Sequence, residues 1–332
     1  MRFFVSLLMA AAAFGQTGSI TGSITNAAHR PVRGMKVEAK NVATGVWYKA
    51  FSSAQGDYAF AALPAGTYEV SVLQLGNKPF IRKDVPVTAG GTQKIDVQVE
   101  ENPTYATLGE LGAYVQLSMK RPPPPQGAAP KMPDGKPDLS GTWVVPAVAV
   151  LPHLFAPQVE LLPWAEDQVR QRILNDGRDV PSSRCLPSGE LITSVIPFKY
   201  IQTRNLLVKL VTDSLSSHQV FLDGRAHPRD LEPSWGGHSV GTWDGDTLVI
   251  DTVGFNDRSW LYFLVPHTDK LHEIQRLRRP DLGHLEIETT YDDPGTFKSP
   301  AKYKLVAVLA PDEDVDETVC ENNQYTEHVS VK

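Results

Sequence analysis

At 332 residues the chain is longer than one ordinary domain, so two domains are expected. Its residues are 41% hydrophobic and 21% charged, which is typical of a folded globular protein and excludes wholesale disorder. A net charge of -6 gives no basic surface for nucleic acid or for an anionic membrane, so neither partner is expected.

The first 15 residues have the features of a cleaved signal peptide. Arg2 supplies positive charge, and the apolar stretch Phe3–Phe14 is too short to span a bilayer. Small residues at Ala13 and Gly15 fit cleavage before Gln16. The sequence therefore predicts a periplasmic or secreted protein without a transmembrane segment, in reach of a cell-envelope partner. A buried N-terminal helix is the alternative.

Export affects how the two cysteines, Cys185 and Cys320, are interpreted. In an oxidising compartment an isolated pair of cysteines usually forms a disulfide bond, so this pairing is expected. Two unrelated buried thiols are the alternative. Neither cysteine has a local motif of a reactive thiol.

Residues 16–100 predict a small antiparallel β-sandwich. Short runs rich in β-branched and aromatic residues alternate with Gly, Pro and Asn at roughly ten-residue spacing. Tyr58, Phe60 and Leu63 are spaced to face the core, and Pro64–Gly66 turns the chain back.

Five motifs in this region resemble the carboxypeptidase regulatory-like domain. They are GSIT from Gly22, PVRGMKV from Pro31, TG at Thr44, GDYAF from Gly56 and LPAGTY from Leu63. The resemblance implies a transthyretin-like sandwich of the carbohydrate-binding-like fold, which is an accessory module without peptidase activity. Aromatic residues of this module either stack on a sugar or belong to its core and rim: Trp47, Tyr48 and Tyr58.

A Pro-rich linker is predicted at residues 101–136, followed by a second domain at residues 137–332. The run RPPPPQGAAPKMPDGKPD favours an extended, semi-rigid spacer. The second domain contains one predicted helix, Pro163–Leu174, with Pro at its start and acidic residues ahead of basic ones. Arg170 and Arg172 are expected on the solvated face of this helix.

The second domain otherwise reads as about nine strands joined by short turns, so the whole chain is predicted to be all-β. Neighbouring strands are expected to pair antiparallel and to close into a barrel or fold into a sandwich. Gly-x-Trp at Gly141–Trp143 is similar to the first strand of lipocalin-like barrels, so a lipocalin-like antiparallel β-barrel with one short helix is expected. The predicted strands are Gly141–Pro146, Pro197–Thr203, Leu206–Thr212, His218–Leu222, Gly237–Trp243, Asp246–Val253, Leu271–Arg279, His284–Tyr291 and Ala301–Leu309.

The hairpin around Asp244-Gly245 is the densest signal, because this dipeptide is a strong turn former. A turn centred there places His238 directly opposite Asp251 and on the same face of the hairpin. The pair is a candidate base with its orienting carboxylate, or a structural hydrogen-bonded pair. Ser239 points to the opposite face, so a Ser-His-Asp set with His238 is not expected.

Further motifs resemble an uncharacterised family of exported acidobacterial proteins. They include DGRAHP from Asp223, WGGHSVG from Trp235 and GFND from Gly254. This resemblance implies export and leaves the activity open. Loops at a barrel mouth around Gly236–Asn256 suit recognition of a small polar ligand. The candidate ligand-binding residues are His227, Trp235, Asn256, Asp257, Trp260, His272 and His284.

Two functions follow from these observations. The first is an exported, non-catalytic binding protein for a small molecule or carbohydrate, with no cofactor and no bound metal. The alternative is a metal-dependent or His/Asp-based hydrolase, since imidazole and carboxylate suit zinc; the histidine spacing does not select a metal site. An enzyme requires at least three polar groups converging in one pocket, whereas a binding barrel requires an apolar cavity with few polar groups.

Overall fold

The chain forms two compact units that divide after Asn102. Among the described residues, no helix is both long and apolar enough to cross a membrane. The predicted signal peptide, residues 1–15, and Cys320 lie outside the described residues. The computed structural model describes residues 17–74, 76–102, 122–146, 159–187, 189, 197–211, 217–261 and 264–315.

The first unit contains two β-sheets. One has the strand order β4-β1-β7 with β8 also paired to β1, and the other has the order β3-β2-β5-β6. Strand β1 pairs antiparallel with β4 and parallel with β7 and β8. The strands are β1 (Thr17–Thr25), β2 (Lys36–Asn41), β3 (Trp47–Phe51), β4 (Asp57–Pro64), β5 (Gly66–Val72), β6 (Phe80–Val87), β7 (Thr92–Lys94) and β8 (Val97–Gln98).

Alternating apolar side chains form the core of this sandwich, as predicted. Tyr58, Phe60 and Leu63 are all buried. The Tyr58 hydroxyl donates a hydrogen bond to the Ile95 carbonyl oxygen at 2.7 Å, and burial raises the pKa of Tyr58 to about 12. Tyr58 is therefore a core residue and does not offer a sugar-stacking surface. Trp47 remains partly exposed.

The second unit is built on a closed nine-stranded barrel in which β9 joins β10 to β17. The predicted all-β class, the sandwich and the closed barrel are confirmed. The strands are β9 (Gly141–Val144), β10 (Phe198–Gln202), β11 (Leu206–Val211), β12 (Ser217–Phe221), β13 (His238–Asp244), β14 (Thr247–Val253), β15 (His272–Arg278), β16 (His284–Asp292) and β17 (Ala301–Leu309).

Strands β12 and β13 pair in parallel, with Val220 beside Ser239 and Phe221 beside Val240. The expectation that all neighbours pair antiparallel was wrong at this one place. A closed ring can alternate strand direction throughout only if its strand number is even, so nine strands require a parallel pair. The segment 222–237 makes the required return from the end of β12 to the start of β13.

Helix α1 spans Pro163–Leu174, with the predicted bounds. Its two arginines were expected on a solvated face, and this expectation was wrong. Arg170 is buried and pairs with Glu166 at 3.3 Å. Arg172 stacks 3.8 Å above the Trp260 ring and donates to the Leu264 carbonyl oxygen at 2.7 Å; burial lowers its pKa to about 10. Both guanidinium groups therefore fasten the helix to its surroundings.

The described part of the Pro-rich segment, residues 122–136, lies against the barrel. The Leu282 amide donates to the Gly127 carbonyl oxygen at 3.0 Å. The Lys136 ammonium lies 5.7 Å from the centre of the Trp243 ring and donates to the Gly245 carbonyl oxygen at 3.3 Å. These residues thus follow the barrel surface on their way to β9.

Trp143 lies at the seam where β9 closes the barrel. It is fully buried, and its indole N–H donates to the Leu139 carbonyl oxygen at 2.9 Å. The Arg279 guanidinium lies 4.8 Å from the centre of its ring. Since β9 pairs with β17 through only two residue pairs, the seam depends on this side chain.

Replacing Trp143 with Ala should destabilise the barrel by about 3–5 kcal/mol, because it removes a large buried ring and leaves a cavity. Urea denaturation followed by circular dichroism measures the effect. Val306→Ala is the control: Val306 is 37% exposed on the neighbouring strand β17, so its loss should change stability by less than about 0.5 kcal/mol. Equal effects of the two substitutions would contradict this role for Trp143.

Candidate functional site

His238, Asp251 and His272 share the outer face of the barrel wall. Their neighbours Ser239, Thr252 and Glu273 are buried on the inner face. Because side chains alternate along a strand, the first three point outward. The predicted face of His238 and Asp251 is confirmed: both lie on the outer face, at the end of the barrel where β13 and β15 begin.

The register of the central hairpin differs from the prediction. His238 pairs with Val253, and Asp251 pairs with Val240. The turn is centred on Gly245-Asp246, one residue later than expected, and Gly245 has the positive φ of 61° that suits the first central position of a type II′ turn. The prediction that His238 lies directly opposite Asp251 was therefore wrong.

His227, from the return segment 222–237, joins the two side chains that the hairpin leaves apart. Its Nδ1 lies 2.9 Å from His238 Nδ1, and its Nε2 lies 3.2 Å from Asp251 Oδ1. From the other side, His272 Nε2 lies 3.0 Å from the same Asp251 oxygen. We call these four residues, His227, His238, Asp251 and His272, the histidine cluster.

One assignment of protons satisfies the hydrogen bonds of the cluster when the carboxylate is ionised and the imidazoles are neutral. The ionised Asp251 carboxylate only accepts, so His227 and His272 each donate from Nε2. Neutral His227 then carries no proton on Nδ1 and accepts a hydrogen bond from His238 Nδ1. This leaves His238 Nε2 with a lone pair, at the end of a chain that runs through His227 to Asp251.

An aromatic and charged layer covers His238. The Phe221 ring stacks on its imidazole with a centroid distance of 5.3 Å, and the Arg225 guanidinium lies 3.9 Å from the centre of the Phe221 ring. Asp223 in turn accepts hydrogen bonds from Arg225. Burial, then the nearby charges of His227 and Arg225, lower the pKa of His238.

An open cleft of about 330 Å³ lies where β12 and the approach to β13 diverge. Among the four cluster residues, only His238 lines it. In the part of the chain that the structure describes, no group of three or more His, Cys, Asp or Glu side chains is arranged to hold a metal ion. The cleft is lined by Ser217, His218, Gln219, Phe221, Ser234, Gly236, Gly237, His238 and Ser239.

Sequence reasoning missed the histidine that contacts Ser239. His218 Nε2, from the parallel neighbour β12, lies 2.7 Å from Ser239 Oγ, and Thr252 Oγ1 lies 2.8 Å from the same oxygen. The prediction that Ser239 points away from His238 is confirmed. A different histidine takes that place, and only the parallel strand pairing could have identified it.

The remaining predicted site residues are not part of the cluster. Trp260 is buried beneath Arg172 and lies outside the cluster. Asn256 caps a turn by accepting from the Arg258 amide at 3.0 Å, and Asp257 beside it is exposed. Trp235 is partly buried on the return segment 222–237.

His284 belongs to the opposite end of the barrel. It hydrogen-bonds Asp281 at 2.9 Å, next to the β15–β16 turn. His272 pairs with Asp292 at the other end of the same hairpin, which at about 3.3 Å per residue is roughly 26 Å along β16 from His284. His284 therefore cannot share a site with His272.

Comparison with known proteins bears on the first unit. Residues 19–100 match the carboxypeptidase regulatory-like domain family. The sandwich is a carboxypeptidase regulatory-like domain. This confirms the resemblance of its motifs and fits a non-catalytic binding or accessory role for the regulatory-like domain. The resemblance of the barrel to an exported acidobacterial family stays a prediction.

Solved structures with local similarity are distant. A protein of Bacillus anthracis, TIE, is 21% identical over 26% of this chain and 17% of its own, with a TM-score of 0.23. The minor pilin of Streptococcus agalactiae is 12% identical over 26% of this chain and 46% of its own, with a TM-score of 0.23. A putative carbohydrate-binding protein of Pseudomonas aeruginosa is 18% identical over 25% of this chain and 90% of its own, with a TM-score of 0.19. No curated protein matches the sequence.

The lowered pKa of His238 makes barrel stability depend on pH. The native protein binds fewer protons than the unfolded chain near the ordinary histidine pKa of about 6.5, so this stabilisation is present above that pH and is lost as the pH falls. Urea denaturation at about pH 7.5 and about pH 5.5 should therefore give a smaller free energy of unfolding at the lower pH.

His238→Gln should reduce this pH dependence without abolishing it, because burial also lowers the pKa of His267. His29→Asn, at an exposed turn position of the sandwich with a φ of 56°, should leave the dependence unchanged. The assignment of this pH dependence to His238 would be contradicted if the free energy of unfolding of His238→Gln changed with pH as much as that of the wild type.

Proposed function

We propose that this is an exported, non-catalytic binding protein whose barrel holds a small hydroxyl-rich ligand, a carbohydrate, in the cleft beside His238. The observation that carries the proposal is the lining of the cleft. The side chains that line it carry hydroxyl, amide and imidazole groups: Ser217, Ser234, Gln219, His218 and His238. Such groups both donate and accept hydrogen bonds, as recognition of sugar hydroxyls requires.

Size and charge support the same ligand class. A cleft of about 330 Å³ lies at the lower end of the range for small-molecule sites, which suits one or two sugar rings. No carboxylate is among the residues that line it. The cleft therefore favours a neutral ligand over a cationic one.

The histidine cluster acts as a support for this cleft. His227 fastens the return segment to the barrel through both ring nitrogens, and the same segment supplies Ser234 and Gly236 to the cleft. A rigid segment binds with a smaller loss of conformational entropy than a mobile one. The carboxypeptidase regulatory-like domain serves as an accessory module that contacts a glycan or a cell-envelope partner.

The metal-dependent or His/Asp-based hydrolase has weaker support. Four polar groups converge in the cluster, but only His238 among them reaches the cleft. Both ring nitrogens of His227 are engaged by His238 and Asp251, so this side chain offers no lone pair to a metal ion without rearrangement.

Isothermal titration calorimetry with a panel of mono- and disaccharides tests the proposal. Gln219→Ala should weaken binding by about tenfold, since one hydrogen bond contributes roughly 1–1.5 kcal/mol. His284→Gln, at the far end of the barrel, should bind like the wild type. Absence of binding by every sugar, or equal loss in both variants, would overturn the assignment of the cleft.

Export is tested through the cysteines. If the protein matures in an oxidising compartment, Cys185 and Cys320 should form a disulfide bond. Protein purified from the periplasm or the medium should then resist alkylation without reductant and gain two alkyl groups after reduction, as measured by intact mass. Two free thiols in the native exported protein would refute the predicted pairing.

A further inference from the structure

Two hydroxyl groups and an imidazole form a short chain beside the cleft. Ser239 Oγ lies 2.7 Å from His218 Nε2 and 2.8 Å from Thr252 Oγ1. Both Ser239 and His218 line the cleft. Ser239 is only 1% exposed, and the cleft gives a reagent a route to its hydroxyl. The arrangement matches the requirement for an activated serine, a base within hydrogen-bond distance.

Thr252 determines which way the protons point. Its buried hydroxyl lies on the side of Ser239 away from His218 and can donate to a Ser239 lone pair. The Ser239 proton is then directed at His218 Nε2, as attack on a carbonyl requires. When Nε2 accepts from Ser239, the proton of a neutral His218 is on Nδ1, which lies beside Gly236: a Cβ at that position would be 3.5 Å from Nδ1.

Backbone donors lie at the same cleft. Gly236 and Gly237 line it, and neither amide donates a hydrogen bond to another residue in the described part of the chain. Gly237 has a φ of 66°, and a Cβ there would meet the Val253 carbonyl oxygen at 2.7 Å, so a side chain is disfavoured. Two adjacent free amides are the kind of donor that stabilises a developing oxyanion.

We infer that Ser239 and His218 form a nucleophile and base that hydrolyse small acyl esters in this cleft. Ser239 Oγ attacks the ester carbonyl carbon while its proton passes to His218 Nε2. The carbon–oxygen bond to the alcohol then breaks, and the alcohol leaves with that proton. Water attacks the acyl-serine, gives one proton to His218, and releases the carboxylic acid as Ser239 regains its proton.

This inference replaces the non-catalytic part of the proposed function and rests on its ligand class, since an acylated sugar is the ester that the cleft would hold. The alcohol product would then be the hydroxyl-rich ligand itself. Binding and acyl transfer remain separable, because binding leaves the protein mass unchanged whereas acyl transfer passes through a covalent adduct.

A second Ser-His pair in the barrel provides a matched control. Ser259 Oγ lies 2.7 Å from His267 Nε2, and His267 Nδ1 donates to the Thr268 carbonyl oxygen at 3.0 Å. Both residues are buried, and neither lines the cleft. The hydroxyl–imidazole distance in this pair equals that between Ser239 and His218, but the pair does not line the cleft. It therefore tests whether the short distance alone makes a serine reactive.

The experiment uses the full mature chain and p-nitrophenyl acetate as the probe, with intact-mass and peptide mass spectrometry of the acid-quenched protein. The wild type should gain one acetyl group on Ser239 and release p-nitrophenol above the buffer rate. Ser239→Ala and His218→Gln should each lower this rate by roughly 100-fold or more, while Ser259→Ala should retain it. Circular dichroism and thermal melting verify that every variant is folded.

Thr252 is assigned as a positioning residue, and its test requires more than loss of activity. Thr252→Val keeps the shape but removes the hydroxyl, so acetylation should slow by about tenfold or more. Thr252→Ser restores a hydroxyl and should restore most of the rate. Equal rates in the Val and Ser variants would refute the positioning role.

The outcomes distinguish the two proposals. No acetyl group on a folded wild type, or an acetyl group on a residue other than Ser239, would overturn the dyad. The sugar panel is titrated into Ser239→Ala in parallel. Sugar binding without acetylation overturns only the dyad, and acetylation of Ser239 without sugar binding overturns only the carbohydrate assignment.

Discussion

The parallel pairing of β12 with β13 is the constraint on which the site depends. Nine strands cannot alternate around a closed barrel, so the chain must return once along the outside before it re-enters the wall. That return, residues 222–237, carries His227 onto the outer face and leaves a cleft where the two strands diverge. An even-stranded barrel closed by tight hairpins would have neither feature.

A single carboxylate holds the return segment in place. Asp251 accepts hydrogen bonds from His227 on the return and from His272 on β15, so it connects three stretches of chain. Each contact alone is partly exposed and of modest energy. Together they tie His227 to His238, which lines the cleft. The role proposed for the cluster is therefore to hold the wall of the cleft in place.

Alternation along strands is the part of the fold that the sequence revealed best. It assigned His238 and Asp251 to one face and Ser239 to the other, and the observed shift of the register by two residues preserves those faces because the side-chain period is two. Contacts made across loops or between parallel strands have no such local signature. His227 beside Asp251, and His218 beside Ser239, depend on the path of the return segment, and periodicity carries no information about that path.

The inside of the barrel changes character between its ends. Near the β13–β14 turn, one row of paired inward residues is apolar: Leu248, Leu277, Ile287 and Leu305. At the cleft end the corresponding row is largely polar: Ser239, Thr252, Glu273 and Tyr291. Buried polar groups weaken a core unless each is satisfied, so a polar row persists where its chemistry serves a purpose. Ser239, the first residue of this row, lines the cleft in which ligand binding and an activated hydroxyl are proposed, whereas the apolar end contributes hydrophobic stability.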